Sequence, residues 1–554
     1  MEKYIESKKS NCKNCYKCIR NCALKSLSFL NDQANIISDD CIYCGECYLV
    51  CPQDAKYIRS DAQKVKTWLA SNTPVVASVA PSYNALDNTD FFLLKQQLLD
   101  AGFQAVEETA IGAYMVKTAY EKLCENKEND VLISSCCHSV NLLVEKHFPE
   151  AIPYLASVVT PMEAHARKLK ETYPEAKVVF IGPCISKKAE IDDTKSHTDV
   201  VLTFAELAEL GLPSFGKKQE EKQECQLSTR SFPITGGILS TMKKEADMTY
   251  LVVDGQENCV QTIKDVIDGK IHKCFIEMSL CAGSCAGGPV LRKSGYTTVP
   301  STMSIAAKAK QKGPQLDVET KQLHTTFENR KQTSYRISDQ MIEEVLAKIG
   351  KTKIEDELNC GGCGYNTCRE KAVAVIQGKA NLEMCLPYLR DRAETFSDNI
   401  IRNTPNGIIV LNEEFEIEQM NEAACQIFNI EHSFEIIGDQ VVRLLDPKLI
   451  MDTYFDGKNT YDKQIYLAEF DKHINLTVIA DRAYHILICV IRDISDEIKR
   501  QNEQENYRKS TVEITDQLID KQMRTVQEIA SLLGETTAET KVALTKLKES
   551  MSRE

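Results

Sequence analysis

The chain has little that would carry it into a membrane or onto nucleic acid. No stretch of its 554 residues approaches the roughly eighteen consecutive apolar positions that a spanning helix needs. Its first residues, MEKYIESKKSNCKNC, lack the apolar core of a signal peptide, so the chain is expected in the cytoplasm. Positive charge is short as well. A net charge of -13 leaves too little Lys and Arg excess to displace counterions from a phosphate backbone, and nucleic acid is not an expected partner. Histidines number only 9 and are scattered, which points away from a metal site built mainly on imidazole.

Cysteine is abundant instead: there are 23, arriving in clusters. A reducing cytosol does not sustain structural disulfides, so clustered thiols are expected to hold metal. With so little histidine among them, iron–sulfur comes before zinc. The length exceeds one ordinary core, and the 43% apolar content can bury several. The clusters occupy residues 1–390; beyond Arg390 only Cys425 and Cys489 remain, which puts a boundary near residue 395. Cys124, Cys225, Cys259, Cys274, Cys425 and Cys489 lack ligand spacing and read as small buried apolar residues.

Cys12, Cys15, Cys18 and Cys22 follow C-x2-C-x2-C-x3-C, and Cys41, Cys44, Cys47 and Cys51 repeat it, with Pro52 behind the second run. This is the signature of bacterial two-cluster ferredoxins. Three close cysteines wrap one cubane while the fourth crosses to the other, so Cys51 completes the first site and Cys22 the second. A pair of zinc knuckles is the competing reading, which two identical runs without histidine disfavour. The module, residues 1–60, is expected to relay electrons.

From about residue 70, apolar runs such as VVASVAPSY, VLISS and AKVVFIGP alternate with amphipathic stretches, an α/β pattern. Cysteines sit where these runs end, in SSCCHSV, GPCISKKAE and EMSLCAGSCAGGP. Together these segments resemble the three signature motifs of the FeFe-hydrogenase catalytic domain. The second and third match in cysteine spacing, in Lys187 and Glu190, and in the Gly287-Gly288 pair; the first lacks the proline and tryptophan usual after the cysteine pair. The resemblance implies that Cys137, Cys184, Cys281 and Cys285 ligate the 4Fe-4S part of an H-cluster, with Cys285 also bridging to a diiron unit. It implies that Lys187, oriented by Glu190, donates to a cyanide ligand, and that Cys136 passes protons to the diiron cofactor. By composition alone, Lys187 and Glu190 are an ordinary helix-surface pair and Cys136 a buried structural thiol.

The departures point the other way from fast catalysis. Gly182 and Ser279 stand where productive hydrogenases carry methionines beside the diiron unit. Counting back from Cys136 puts the usual proton-path glutamates at Val116 and Ala119, neither of which titrates, and the nearest acid is Glu121. An interrupted relay is expected to lower turnover.

Cys360, Cys363, Cys368 and Cys385 make a third module, C-x2-C-x4-C-x16-C, which resembles a small 4Fe-4S domain of anaerobic redox proteins; structural zinc is its alternative. A helix is expected over 372–378. NTPNGIIVLNEEFEIEQMNEAACQIFNI resembles the opening of a PAS domain, with strands from Gly407 and through Ile417 and a helix from Asn421, and VIRDISDE resembles its exit. Beyond it, Val512, Ile519, Val526 and Leu533 recur every seven residues, with Met523 and Ala530 between, as in a coiled-coil or bundle seam. Gly534 is expected to stop that helix, and Thr536 with Glu539 to cap a second one bearing Ala543, Leu544, Leu547 and Met551 on one face.

The expected architecture is multidomain α/β and α+β: a ferredoxin-like two-cluster domain (1–60), an FeFe-hydrogenase-type H-cluster domain (65–335), a small 4Fe-4S domain (340–395), a PAS domain (396–498) and a helical dimerisation and output tail (499–554). The expected cofactors are three 4Fe-4S clusters plus an H-cluster. The expected function is that of a sensory, low-turnover hydrogenase-like oxidoreductase acting on H2 and protons. Ferredoxin or another redox carrier, a kinase or phosphatase reached through the PAS module and tail, and a second copy in a homodimer are its expected partners. A ferredoxin-linked catalytic hydrogenase and an iron–sulfur redox sensor without an H-cluster are the alternatives.

Overall fold

The computed structural model describes the chain apart from residues 1–3, 9–10, 87–89, 127–129, 194–195, 213–226, 310–315, 317, 333–336, 457–458, 483, 534–536 and 553–554. Cys225, Gly534 and Thr536 therefore lie outside the described residues. Two compact units divide the chain, residues 1–389 and 390–554.

In the first unit, the N-terminal module pairs strand Ile5–Ser7 antiparallel with Lys56–Ile58 and folds Leu27–Leu30 onto Gln33–Ile36. The cysteine loops between them end in the one-turn helices Lys17–Arg20 and Glu46–Leu49. The second loop turns through Gly45 at φ 81, where an added Cβ would stand 2.6 Å from Ile185 Cδ1 and 3.2 Å from Pro289. Only glycine suits that conformation and that approach. The module is thereby seated on the segments that carry Cys184 and Cys285.

The central α/β region holds two parallel sheets. One orders its strands Ala105–Glu108, Val75–Val79, Lys177–Gly182, Val200–Thr203; the other orders Thr249–Asp254, Cys274–Ser279, Val131–Ile133. Val75–Val79 is buried at every position, the continuous burial expected of a parallel strand covered on both faces. Helices Ala110–Glu125, His138–His147 and Pro161–Thr172 pack around the sheets. The third cysteine module follows helix Asp339–Lys348. Its second helix starts at Cys368, not at 372, because Thr367 caps it by accepting from Glu370 N at 3.0 Å while Glu370 takes Asn366 N.

The second unit contains a five-stranded antiparallel sheet, in the order Ile417–Met420, Gly407–Leu411, Ile486–Asp493, Lys472–Asp481, Thr460–Leu467. Asn421 caps helix Glu422–Ile427 by accepting from Ala424 N, and it also binds Ile408 N, Asn406 O and Ile401 O, tying the sheet's entry to its first helix. Cys425 and Cys489 are buried among the sheet's apolar residues, as their lack of ligand spacing suggests. Helix Ser495–Leu533 and helix Thr537–Met551 complete the unit and are bridged by Lys548 and Asp516 at 3.1 Å. Val512, Ile519, Met523 and Val526 are half-buried along the first; on the second Leu544 is half-buried and Leu547 is exposed.

Candidate metal centre

Three strand ends deliver the central thiols. Cys136 and Cys137 follow Val131–Ile133, with Cys137 at the N-cap of helix His138–His147. Cys184 follows Lys177–Gly182, ahead of helix Ser186–Asp193. Cys281 follows Cys274–Ser279, and Cys285 sits in the turn Ser284–Gly287. That turn needs Gly287, where a Cβ would lie 1.9 Å from Ala282 O. The carboxyl ends of strands from both sheets thus meet at a crevice, where ligands bind in open parallel sheets.

The crevice is a cavity of about 130 Å³, walled by Cys136, Cys137, Cys184, Lys187, Ser279, Cys281 and Cys285, with Cys44 of the N-terminal module also on its wall. The residues expected at this site are therefore brought together, apart from Gly182, where a side chain would run into the Phe180 ring at 2.7 Å, and Glu190, which stands behind Lys187. Lys187 donates to Glu190 at 2.5 Å, and Glu190 also accepts from Thr160 and lies 4.0 Å from His138 Nδ1. Burial by itself pushes Lys187 down, but the charge and hydrogen bond of Glu190, with the charges of Cys184 and Cys137, together outweigh it, and the ammonium is held above the ordinary lysine value. The pair is buried, not a solvated surface pair.

Burial raises the Cys184 thiol to about 11 and Cys136 to about 12, and it raises Cys281 and Cys285 further, with the neighbouring thiols adding to the effect. Thiols gathered in this way give up their protons to a metal more readily than to water. Four thiols, a fifth beside them and one buried cation fit a cubane carrying an attached anionic metal unit.

Beside Cys136 stands a residue that counting along the sequence missed. Tyr120 Oη is 3.2 Å from Cys136 Sγ and 3.1 Å from Ser135 Oγ, which donates to Val158 O at 2.6 Å. Val116 and Ala119 are buried in an apolar cluster, and Glu121 accepts from Lys243 N instead of facing the cavity. Also buried is Glu277, on strand Cys274–Ser279, which burial pushes up to about 7 against the lowering effect of backbone N–H groups around Leu239.

The other cysteines form three sets. Cys22, Cys41, Cys44 and Cys47 wall one small cavity, the crossed pairing expected from the spacing. Burial raises the Cys18 thiol to about 11, and Cys12, Cys15 and Cys51 each add to the effect. Cys360, Cys363, Cys368 and Cys385 wall another cavity, with buried Lys371 beside them. Lys25 donates to Gly364 O and Arg20 to Gly361 O, seating the third module on the first. Among the described residues no three His, Cys, Asp or Glu side chains converge on a point that would hold one metal ion.

Residues 73–289 match the family described as iron only hydrogenase large subunit, C-terminal domain. The central domain is of the iron-only hydrogenase type. Around it, residues 4–64 match a 4Fe-4S dicluster domain, 356–387 an Fe-S cluster domain and 396–464 a PAS domain. The chain is similar to the periplasmic Fe hydrogenase large subunit of Nitratidesulfovibrio vulgaris, 26% identical over 28% of this chain and 50% of that one. It is also similar to an NADP-reducing hydrogenase subunit of Solidesulfovibrio fructosivorans, 22% identical over 46% and 56%. A cytosolic Fe-S cluster assembly factor of Kluyveromyces lactis is 24% identical over 31% and 40%. The chain spans about half the length of the curated relatives it matches. A solved FeFe-hydrogenase from Chlamydomonas reinhardtii aligns with a TM-score of 0.38 at 18% identity, covering 49% of this chain and 100% of that one. No helix among the described residues is long and apolar enough to cross a membrane.

Proposed function

We propose that this iron–sulfur protein is a hydrogen-responsive redox sensor, with three 4Fe-4S clusters and an H-cluster, whose PAS-bearing unit passes the redox state on. The observation that carries the reading is the cavity itself: Cys136, Cys137, Cys184, Lys187, Cys281 and Cys285 share it, and Cys44 opens it to the cysteine sets of the first module. Bound there through Cys137, Cys184, Cys281 and Cys285, an H-cluster would supply the interconversion of H2 with two protons and two electrons. The chain's own residues do the rest. Lys187, locked by Glu190 and Thr160, presents N–H donors to an anionic ligand, and Cys136 holds a proton that Tyr120 can share. Cys44, on the cavity wall, and Cys22 and Cys47 then lead toward Cys18, with the buried Lys56 ammonium favouring the thiolates of Cys18 and Cys47.

Cys136 by itself offers protons no exit to solvent. Its hydrogen bonds run through Tyr120 and Ser135 to the Val158 carbonyl, which accepts a proton's hydrogen bond but cannot pass the proton on. A signalling partner reached through the PAS-bearing unit would carry the signal onward.

The test is anaerobic exposure of the iron-loaded full chain to hydrogen, with and without maturation by a diiron cofactor, followed by cluster absorbance and infrared spectroscopy. The expected result is hydrogen bleaching of the matured chain alone, with steady-state rates far below those of productive hydrogenases. High steady-state turnover would make it a working hydrogenase. A matured preparation without diatomic-ligand bands and without a hydrogen response would favour an iron–sulfur redox sensor or an assembly role like that named for the Kluyveromyces relative.

A further inference from the structure

The cavity has a second wall, opposite in character to the closed loop at Cys136. Thr109 lines it and is buried, yet at the N-cap of helix Ala110–Glu125 its hydroxyl makes no capping bond. The hydroxyl lies instead 2.7 Å from Ser78 Oγ. Ser78 Oγ lies 2.8 Å from His165 Nδ1, and His165 Nε2 lies 3.3 Å from Glu107 Oε2. Ser78 and Glu107 are register partners on adjacent parallel strands, and His165 reaches both from helix Pro161–Thr172. His165 is wholly buried, whereas the Glu107 side chain keeps 30% of its surface exposed. The helices on either side touch closely, since a Cβ at Gly112 would stand 2.8 Å from His165 N. That contact fixes the backbone from which His165 projects.

We propose that Thr109, Ser78, His165 and Glu107 form a proton wire from the cavity to solvent. It rests on the hydrogen reading above. Thr109, Ser78 and His165 can each both donate and accept, and Glu107 can take up a proton and release it, unlike the peptide carbonyl that ends the Cys136 loop. The neighbouring carboxylate, Glu108, is occupied by Arg230 and Tyr83, which leaves Glu107 as the outlet.

The direction of the wire follows from its end. The hydrogen bond from His165 holds the Glu107 carboxyl below its ordinary value, with Lys168 and Lys95 adding to this, and a carboxylate only accepts. Burial holds His165 below its ordinary value, with Lys168 acting the same way and Glu107 and Glu108 opposing, so the ring is neutral and carries its proton on Nε2. Its Nδ1 then accepts from Ser78, and Ser78 accepts from Thr109. A proton arriving at Thr109 Oγ1 sends that hydroxyl's hydrogen to Ser78, Ser78's to Nδ1, and the Nε2 hydrogen to Glu107, which releases it to water. Each O–H or N–H bond formed matches one broken, and no charge stays behind. The resting polarity therefore exports protons, as oxidation of H2 requires. Reset needs hydroxyl rotation and exchange of the imidazole protons, which is slow for a wholly buried ring.

The experiment uses the matured, anaerobic full chain and the variants Ser78→Ala, Thr109→Val, Thr109→Ser and Glu107→Gln. Two readouts are taken: the rate of cluster bleaching by hydrogen against dithionite, and the infrared difference spectrum in the protonated-carboxyl region. Ser78→Ala, Thr109→Val and Glu107→Gln are expected to slow hydrogen bleaching roughly a hundredfold. Thr109→Ser keeps the wild-type rate, and dithionite bleaching is unchanged throughout. Hydrogen should also raise a transient carboxyl band in wild type that Glu107→Gln abolishes. Glu107→Gln, at a partly exposed position, carries the test should Ser78→Ala fail to fold. Wild-type hydrogen rates in Glu107→Gln and Thr109→Val, with no carboxyl band, overturn the wire and leave the hydrogen reading standing. A wild type that dithionite bleaches and hydrogen does not overturns both.

Discussion

Cys136 and Glu277 show how much a single side chain's surroundings decide here. Cys136 adjoins Cys137 but has a tyrosine for its own partner, at 3.2 Å. Cys136→Ala is therefore expected to keep its full iron content and to lose roughly a hundredfold of its hydrogen-driven activity. Loss of iron instead would mean that the ligand and the proton carrier are interchanged. Glu277 holds its proton in the folded chain up to about 7, against 4.5 for the ordinary carboxyl. Between those values the folded state binds more protons than the unfolded one, so its contribution is complete below the lower value and is lost as pH rises through the upper. The shift is worth about 3 kcal/mol at most. Glu277→Gln should accordingly raise the thermal midpoint of the cluster-loaded protein at pH 8 and change it little at pH 5; equal effects at both would mean that Glu277 does not titrate in this window. Neither Tyr120 nor Glu277 was legible in the sequence, because counting from Cys136 assumes a fixed loop length, while the helix face that meets Cys136 is set by packing.

At the scale of elements, the cysteine loops are held by backbone geometry as much as by thiols. Gly45 combines a positive φ with a 2.6 Å approach to Ile185, whereas Gly211, at φ 77, has nothing within 4 Å of an added Cβ. Alanine at 211 meets only the backbone strain, about 1 kcal/mol, while alanine at 45 must also displace Ile185 or Pro289, for about 1–3 kcal/mol more. Thermal unfolding of the two variants is expected to separate them in that order, and Gly45→Ala should also slow electron flow from the cavity to the first module. Equal midpoints would show that the loop can shift without cost. The third module's early helix start is a case of a readable signal passed over: Thr367 and Glu370 stand in capping-box spacing.

For the whole molecule, the cysteine sets imply four cubanes, counting that of the H-cluster. Iron analysis should give about sixteen irons per chain after reconstitution and about eighteen after maturation. About twelve irons with one zinc would assign Cys360, Cys363, Cys368 and Cys385 to a structural zinc site. Sensing requires that the second unit differ between redox states. Amide deuterium exchange near Thr404 and along helix Ser495–Leu533 is expected to change when hydrogen reduces the clusters. Unchanged exchange there, together with high turnover, would leave the second unit as a scaffold.

Cysteine spacing by itself determined which cysteines are gathered, including Cys22 beside Cys41, Cys44 and Cys47, because such closely spaced runs constrain the chain locally. The order of the domains was legible for the same reason, as each carries a compact local pattern. Tertiary structure alone decided what faces the cavity between those ligands. Ser78, Glu107, Thr109 and His165 stand up to 87 residues apart in sequence and share no motif. Their alignment comes from the pairing of two parallel strands and the close crossing of two helices at Gly112, contacts made between segments that no local pattern ties together.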